Sequence, residues 1–445
     1  QSTYRLQFHK DEMTFRRAAE LVPYLDELGI SHIYASPYQH ARAGSPHGYA
    51  IVDYGSLNPE LGSEQEFRDL VAALHWCGMG QVLDIVPNHM STTPGENPWW
   101  TDVLENGPSS PYASSFDIDW DPVKDELKGR VLLPVLGEQY GETLESGHLR
   151  LEYREGAFFL RCYERLLPLD PRSYPLILKP RLEELAGALS AESPELLELE
   201  SILTALEHLP DRNRAEPEAV RERQREKELI KKRLNALVQA SPAVEDFIAA
   251  ALAGLNGTPG DAASFDRLHS LLDEQPYRLA HWKAAADEIN YRRFFDVNEL
   301  AAVSMEDPEV FARSHELVFG VLMRGDLDGV RVDHVDGLFD PTDYLGRLQQ
   351  GYLLALAEQA YRVLAARQAE TAETPPWEEL EADVLSGLLE KLRGASPPLF
   401  VVVEKILGPE EPLPPQWPVA GTTGYDFLRA VNGLLVDWSG LDPLV

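Results

Sequence analysis

The hydrophobic positions in the first part of the chain alternate between two periods. Short apolar runs typical of buried strands occur in three segments, TYRLQF (3–8), SHIYASP (31–37) and QVLDIVPN (81–88). Between them, apolar residues recur three and four positions apart, which predicts amphipathic helices from about Met13 to Leu28 and from about Ser63. Strand, helix and strand in this order predict a parallel sheet covered by helices.

End signals support both helices. Gly29 follows the first periodic segment, where a helix C-terminus often places glycine. Ser63 and Glu66 have the spacing of a capping box, in which each side chain bonds the other residue's backbone N–H. The sequence therefore predicts an end of the first helix and a start of the second.

The alternation of strands and helices stops near residue 90 and returns near residue 294. The sequence between is first rich in Pro, Gly, Trp and Asp, with a strand-like stretch at 148–163, and then keeps helical periodicity between Pro and Gly breaks. The predicted divisions are barrel strands 1 to 3 at 1–90, an irregular or β insertion at 91–177, a helical insertion at 178–293, and barrel strands 4 and 5 with the following segment at 294–445.

The predicted fold class is α/β, a (β/α)8 TIM barrel with an irregular or β insertion after strand 3 and a large helical insertion. The last part of the chain predicts helices from about Asp307 to Met323, after Tyr344, and from Trp377 to Leu392. Its strands are predicted in DGVRVDHVDGL and PLFVVVEKIL, which makes five by residue 407. We expect the last barrel strands and a C-terminal domain to lie outside this chain.

The composition narrows the classes of function. With 445 residues, 44% of them hydrophobic, the chain can bury a large core. A net charge of −33 argues against nucleic acid and anionic membranes as partners, because phosphate binding needs a basic surface. No apolar run approaches the ~20 residues of a membrane-spanning helix, and no signal segment opens the chain. A soluble, cytoplasmic protein is expected.

Two local features of the composition also bear on function. The basic segment RERQREKELIKKR at 221–233 carries glutamates at helical spacing, which predicts an exposed, ion-paired helix rather than a nucleic-acid patch. The cysteines, Cys77 and Cys162, belong to no CxxC or Cys/His cluster. Neither a disulfide framework nor a zinc site is expected.

Ionisable residues end or follow several of the predicted strands. Asp84 lies in DIVPNHM, and Glu404 ends the apolar run of VVVEKI. Arg331 and Asp333 lie two apart in GVRVDHVDG and hence on one face of a strand. A charged residue after one strand is common. In an α/β barrel, however, the active site lies at the carboxyl ends of the strands, so these segments together predict an active site.

Asp333 and Glu404 can form the pair that a retaining glycosidase needs. Such enzymes use a carboxylate nucleophile and a carboxylic acid about 5–5.5 Å apart, a spacing that residues on successive strands can meet. Arg331, on the face that carries Asp333, is expected to lower the pKa of Asp333 and keep it ionised. A less polar setting is expected to keep Glu404 protonated.

These strand-end segments carry a family resemblance. DIVPNH, GVRVDHVD and VVVEKI are similar to the first three of the four signature regions of the α-amylase superfamily, and SPHGYAIVDYGSLNPELGS at 45–63 resembles its segment with a sugar-stacking tyrosine. The resemblance implies that Asp333 is the nucleophile and Glu404 the general acid/base. It also implies a sugar subsite lined by His47, Tyr49, Asp84, His89, Arg331 and His334. For Tyr49 and His89 the alternative is a core or loop residue.

Other segments narrow the resemblance to the maltooligosyl trehalose synthases. They are RRFFDVNELA (292–301), RVDHVDGLFDP (331–341), VVVEKIL (401–407) and WPVAGTTGYDF (417–427). Many amylases have a Lys-His pair three and four residues after the nucleophile, where this chain has Asp336 and Gly337. Asp336 is therefore predicted to bind the departing glucose, the alternative being a loop-capping role beside Gly337. The fourth signature region, a His-Asp pair, and with it the third catalytic carboxylate, is not found in this chain.

The resemblance implies an intramolecular transglucosylase, a (1->4)-alpha-D-glucan 1-alpha-D-glucosylmutase. Such an isomerase converts the reducing-end α-1,4 bond of a maltooligosaccharide into an α,α-1,1 bond, and a trehalose-releasing hydrolase is expected to act next. The alternative is a retaining α-1,4-glucan hydrolase or transglycosylase, which shares every catalytic residue. A catalytically dead relative would be expected to lack Asp333 or Glu404. No cofactor is expected, and no metal, although Asn88 stands where calcium-dependent relatives place a ligand.

Overall fold

The computed structural model describes residues 2–190, 192–368, 375–392, 394–408 and 410–436. The chain divides into two compact units. The sheet unit comprises Gln1–Met90 and Val303–Val445, and the inserted unit comprises Ser91–Ala302. These units are coarser than the divisions predicted from the sequence, whose internal boundaries stay predictions.

The strands of the described residues are short. In chain order they are β1 (Thr3–Leu6), β2 (His32–Ala35), β3 (Gln39–Ala41), β4 (Ile51–Leu57), β5 (Gly80–Ile85), β6 (His89–Ser91), β7 (Val131–Leu136), β8 (Leu149–Arg154), β9 (Ala157–Cys162), β10 (Arg165–Pro168), β11 (Tyr277–His281), β12 (Arg293–Phe294), β13 (Val297–Ala302), β14 (Gly329–Val332), β15 (Phe400–Val403) and β16 (Gly421–Thr422).

The helices are α1 (Phe15–Glu27), α2 (Glu64–Trp76), α3 (Pro98–Asn106), α4 (Tyr140–Glu145), α5 (Tyr174–Leu178), α6 (Leu182–Ala188), α7 (Pro194–His208), α8 (Pro217–Ala240), α9 (Pro242–Leu255), α10 (Asp266–Asp273), α11 (Ala285–Glu288), α12 (Pro308–Met323), α13 (Pro341–Gln368), α14 (Trp377–Lys391) and α15 (Tyr425–Leu434). No single helix of the described ranges is long and apolar enough to cross a membrane; α8 and α9 together meet that length and composition, with a bend of 112° between them.

The sheet unit is built on a parallel sheet in the order β1-β2-β5-β14-β15-β16. Helices α1 and α2 connect its first strands, and α1 buries Phe15, Ala18, Val22 and Leu25. The registers of the central strands place Asp84 beside Arg331, and Arg331 beside Val402. The charged residues of successive strands therefore meet at one end of the sheet.

The predicted end of α1 and the predicted start of α2 are confirmed. Thr14 caps α1, and Leu28 follows its last residue. Ser63 and Glu66 form the capping box in full at the start of α2. Helix α13 begins at Pro341, earlier than the predicted start after Tyr344, because proline is well suited to the first turn of a helix.

Several short strands were not predicted. The two-residue strand β16 extends the sheet beyond β15. The sheet therefore has six strands, one more than the five predicted. The antiparallel pair of β3 and β4 lies between β2 and α2. Strands of two or three residues, such as β16 and β3, have too few positions to show a period. Strand β4 has seven residues, but its burial pattern does not alternate regularly.

The inserted unit combines helices with small sheets. The strand-like stretch at 148–163 forms the antiparallel hairpin of β8 and β9, as predicted, and β10 continues it. Strand β11, which lies within the predicted helical insertion, pairs in parallel with β7. That insertion is therefore mostly but not wholly helical.

Two basic residues of α8 are buried, which corrects the prediction of an exposed helix at those positions, whereas the predicted pairing within the helix is confirmed for Lys231 and Glu228 at 3.3 Å. Arg223 is 0% and Lys227 2% exposed. Arg223 donates to Asp170 at 2.5 Å, and Lys227 lies 2.6 Å from Glu105. These partners lie outside the helix. A buried cation must be paired and hydrogen bonded, and a carboxylate from another element can satisfy this need.

Candidate active site

The backbone continues the sheet hydrogen bonds beyond the ends of the strands. The N–H of Asp333 donates to the carbonyl of Ile85 at 2.9 Å, and that of Glu404 donates to Val332, also at 2.9 Å. Both acidic residues are thus held by the neighbouring strand at the point where regular pairing ends. This backbone arrangement brings both side chains to Arg331, as the sequence predicted.

One guanidinium joins the acidic side chains of the site. Arg331 donates through Nη1 to Asp84 at 2.6 Å and to Asp333 at 2.5 Å. Its Nη2 lies 3.2 Å from Oε2 of Glu404. The side chains of Arg331 and Asp84 are 6% and 0% exposed, respectively, so these pairs are largely removed from water. Charged hydrogen bonds in such surroundings are strong and fix geometry.

A second cation completes the surroundings of Asp84. Arg5 donates to Asp84 at 3.1 Å and to the hydroxyl of Tyr49 at 2.7 Å. The hydroxyls of Tyr34 and Tyr49 both donate to the same carboxylate oxygen of Asp84. Asp84 is therefore a structural centre of the site, bonded to two cations and two phenols.

Arg5 and Tyr34 were missed in the sequence analysis. Arg5 lies in β1, opposite Tyr34 in β2, and its guanidinium sits 4.4 Å from the centre of the Tyr34 ring. A signal was available: a charged residue in the first strand of a predicted buried parallel sheet needs a partner.

Burial raises the pKa of Asp333 to about 7. Arg331 favours the ionised form, but burial and the negative charges of Asp84 and Glu404 outweigh it. Arg331 acts in the predicted direction, but the expectation that it keeps the pKa of Asp333 low is wrong, because burial is the larger effect.

The pKa of Glu404 shifts in the opposite direction. Burial disfavours the charged form of Glu404, but the charge of Arg331 and the N–H of His334 outweigh burial and lower the pKa. That N–H donates to Oε2 at 2.9 Å. The expectation of a less polar setting that keeps Glu404 protonated is therefore also wrong.

Asp333 and Glu404 nevertheless titrate as one pair, because each carboxyl group acts directly on the other. Between the two pKa values of the pair, it holds a single proton. A carboxylate and a carboxylic acid then coexist, which is the combination that retaining glycosyl transfer needs. Transfer of that proton from Asp333 to Glu404 gives the arrangement of nucleophile and acid that the sequence predicted.

The histidines named from the resemblance all lie in this region. His47 is exposed, with its ring centre 5.5 Å from that of Tyr49. His89 is buried, and burial together with the charge of His334 lowers its pKa to about 3. His89 is therefore a neutral hydrogen-bonding group at ordinary pH.

His334 adopts a left-handed backbone conformation, with φ of 47° and ψ of 49°. This turn directs its N–H towards Glu404 immediately after Asp333, the residue that follows β14. Gly337 permits the turn, since an added Cβ there would lie 2.3 Å from the His334 ring and 2.5 Å from Asn88. Gly337 therefore has a packing role in shaping the loop.

Known proteins resemble this chain in sequence and in fold. A model of the α-amylase catalytic domain matches residues 18–168. The whole chain is 31% identical to a Mycobacterium tuberculosis protein named maltooligosyl trehalose synthase. It is 31% identical to the solved maltooligosyltrehalose synthase from Arthrobacter ramosus, over 100% of this chain and with a TM-score of 0.62. The chain belongs to the α-amylase superfamily. The resemblance inferred from its motifs is confirmed.

Superfamily membership supports an α/β, TIM-barrel-like fold for the parallel sheet. A Sulfolobus tokodaii structure titled hypothetical maltooligosyl trehalose synthase is 27% identical over 98% of the chain, with a TM-score of 0.58. The chain spans 39% of the length of each of these three relatives. The closed eight-stranded barrel stays a prediction.

Asp336 lies in a tight turn after Asp333, at a position where this chain differs from many amylases. Its side chain is 52% exposed, and Lys405 donates to both its carboxylate oxygens at 3.2 Å. Lys405 also lies 2.9 Å from Glu411. The ion pair links the loops after β14 and β15, which carry the nucleophile and the acid/base candidates. Lys405 was not singled out in the sequence analysis.

Within the described ranges, no group of three or more His, Cys, Asp or Glu side chains could hold a metal ion. Asn88 is the position noted from calcium-dependent relatives. Its backbone carbonyl accepts a hydrogen bond from the N–H of Val303 at 2.9 Å. The expectation that no metal is needed remains a prediction.

Proposed function

We propose that this protein converts the reducing-end α-1,4 bond of maltooligosaccharides into an α,α-1,1 bond by a retaining double displacement. The observation that carries the proposal is the Asp333 and Glu404 pair, whose carboxyl groups both contact the guanidinium of Arg331. The pair lies in a chain similar throughout to proteins named maltooligosyl trehalose synthase. Those names support an isomerase over a hydrolase.

In the first step, Asp333 attacks the anomeric carbon of the penultimate glucose. Glu404 gives its proton to the oxygen of the terminal glucose as the α-1,4 bond breaks. Arg331 holds both side chains and stabilises the charge left on Glu404. The products of this step are a glycosyl ester on Asp333 and a free terminal glucose that stays bound.

In the second step the terminal glucose turns within the site. Glu404, now ionised, removes the proton from its anomeric hydroxyl, and that oxygen attacks the glycosyl ester. Asp333 leaves as a carboxylate, and two inversions give an α,α-1,1 bond with net retention. The product requires that water be kept from the ester, since attack by water gives hydrolysis.

The direct test is a product analysis of the intact protein with maltopentaose. The proposed function predicts that reducing ends disappear while little free glucose is released, and that NMR shows the anomeric signals of an α,α-1,1 bond. Release of reducing sugar as the main product would identify the alternative, an α-1,4-glucan hydrolase. Appearance of longer maltodextrins would identify a transglycosylase.

The pH dependence should show the proton shared by Asp333 and Glu404. We expect kcat/KM for maltopentaose to fall as the pH rises through about 7, since the raised pKa of Asp333 marks the loss of that proton. Above that pH both groups are ionised and no general acid remains. The profile should be measured from about pH 4 to about pH 9 with the protein shown to stay folded. A flat profile through neutral pH would contradict the shared proton.

Asp336 is expected to control how the glycosyl ester is used. We propose that its exposed carboxylate binds hydroxyls of the turning glucose, since hydrogen bonds to a charged group are worth ~1.5–3 kcal/mol. Asp336→Ala should then raise the ratio of free glucose to α,α-1,1 product about tenfold, corresponding to ~1.4 kcal/mol of lost retention.

The measurement for Asp336 is that ratio from maltopentaose, together with the rate of the first bond cleavage. Because Lys405 loses its partner in Asp336→Ala, a Lys405→Met variant serves as the matched control for the broken ion pair. An equal change in both variants, or an unchanged ratio in an active Asp336→Ala protein, would return Asp336 to a loop-stabilising role.

The cellular setting is also a proposal. The product would carry a trehalose unit at its former reducing end, so a hydrolase that cleaves the adjacent α-1,4 bond must act next to release it. We propose that both reactions occur in the cytoplasm, which cell fractionation of the intact protein would test.

A further inference from the structure

The two carboxylate oxygens of Glu404 face different groups. Oε2 accepts from the N–H of His334 at 2.9 Å and lies 3.2 Å from Nη2 of Arg331. Oε1 accepts from the hydroxyl of Tyr425 at 3.3 Å. The mechanism above uses the first two groups and leaves Tyr425 without a role.

Tyr425 is held in place by the strand that leads to Glu404. The N–H of Thr423 donates to the carbonyl of Val403 at 3.0 Å, directly before Glu404. Gly424 then takes a left-handed conformation, with φ of 79°, and caps α15, of which Tyr425 is the first residue. The hydroxyl of Thr422 donates to Asp426 at 2.7 Å and fixes the start of the helix. The tyrosine hydroxyl is thus directed at Glu404 by local backbone structure.

These contacts decide which oxygen of Glu404 can carry a proton. An N–H and a guanidinium can only donate, so a proton on Oε2 would face two donors. A hydroxyl can donate or accept by rotation. The Tyr425 hydroxyl can therefore donate to Oε1 when Glu404 is ionised and accept from Oε1–H when it is protonated.

We propose that Tyr425 is a positioning residue that makes Oε1 the proton-carrying oxygen of Glu404 and stabilises its ionised form in the second step. The inference deepens the proposed function and rests on it. Tyr425 is 38% exposed, so its side chain contacts the largely buried pair while part of it remains open to solvent. Its hydrogen bond matters most when Glu404 acts as the base on the turning glucose.

Few charged or titratable groups face Glu404 in the described structure. Arg331 and Asp333 face it from the strand end of β14, and Tyr425 faces it from α15. Lys405, the next residue along the chain, instead contacts Asp336 and Glu411. Removal of the Tyr425 hydroxyl therefore takes away the donor at Oε1 and leaves the donors at Oε2 unchanged.

The test is the pH dependence of Tyr425→Phe with α-maltosyl fluoride, whose leaving group needs no protonation. Breakdown of the glycosyl ester still needs ionised Glu404. The lost donor should raise the pKa of Glu404 and move the acidic limb of the profile up by about one pH unit. On that limb, at a pH below the wild-type pKa of Glu404, turnover of the fluoride should fall about tenfold, mainly in kcat.

A loss of structure alone would lower the active fraction equally at every pH and leave the limb in place. Tyr24→Phe is the matched control, because Tyr24 is 57% exposed on α1 and its variant should keep the wild-type profile. An active Tyr425→Phe protein with an unmoved acidic limb would overturn the role of Tyr425. A wild-type protein inert towards the fluoride would instead overturn the proposed function, and this inference with it.

Discussion

Asp333→Asn should lower the turnover of maltopentaose by about 10^4-fold or more, because an amide cannot form the glycosyl ester. Asparagine has the size of aspartate and keeps a carbonyl oxygen to accept the 2.5 Å hydrogen bond from Arg331. With the pKa of Asp333 raised to about 7, the native site already accommodates a neutral group at this position. The fold and the affinity for maltooligosaccharide should therefore be preserved.

The measurements for Asp333→Asn are single-turnover bond cleavage, maltopentaose binding by calorimetry and thermal unfolding. Asp343→Asn is the matched control, since Asp343 makes an exposed ion pair with Arg347 on α13 and should keep wild-type turnover within about twofold. Substantial bond cleavage by a folded Asp333→Asn protein would show that another group is the nucleophile.

The position of the candidate site followed from the sequence because a strand has a strict period. Two-residue spacing placed Arg331 and Asp333 on one face, and parallel pairing placed Asp84 and Glu404 on either side of them. The ends of adjacent parallel strands meet at one edge of a sheet. Their proximity in the structure follows from these local rules.

The charge balance of the site could not be predicted in the same way. The sequence pairs Arg331 with Asp333, but the structure shares that guanidinium with Asp84 and Glu404 and brings in Arg5 from the first strand. A pKa depends on the sum of burial and all near charges. The number of charges near a group is set by where side chains from several strands are placed, and spacing along one strand does not give it.

The inserted unit shows the same limit. Helical spacing predicted that the cations of α8 would pair with glutamates of their own helix. The structure keeps the pair of Lys231 with Glu228. It nevertheless pairs Arg223 with Asp170, and Lys227 with Asp102 and Glu105. Spacing shows which residues can pair locally, whereas burial selects partners that come from other elements.

Glu404→Gln should lower the turnover of maltooligosaccharides by about 10^2- to 10^4-fold, since the general acid and base is lost. Glutamine can still accept from the N–H of His334, so the loop after β14 should keep its conformation. A substrate with a fluoride leaving group needs no acid and should still react with Asp333. Without a base for the second step, the glycosyl ester should accumulate, and mass spectrometry should locate it on Asp333.

Azide separates the loss of the acid/base from a general loss of activity. It attacks the anomeric carbon of the glycosyl ester without giving up a proton, so it needs no base, and it releases Asp333 as a carboxylate. In Glu404→Ala, where the missing side chain leaves room beside Arg331, added azide should raise turnover of α-maltosyl fluoride at least about tenfold and give an α-glycosyl azide. The same addition should have little effect on the wild-type protein and none on Asp333→Asn. A folded Glu404 variant that forms no ester with the fluoride, and is not rescued by azide, would exclude Glu404 as the acid/base.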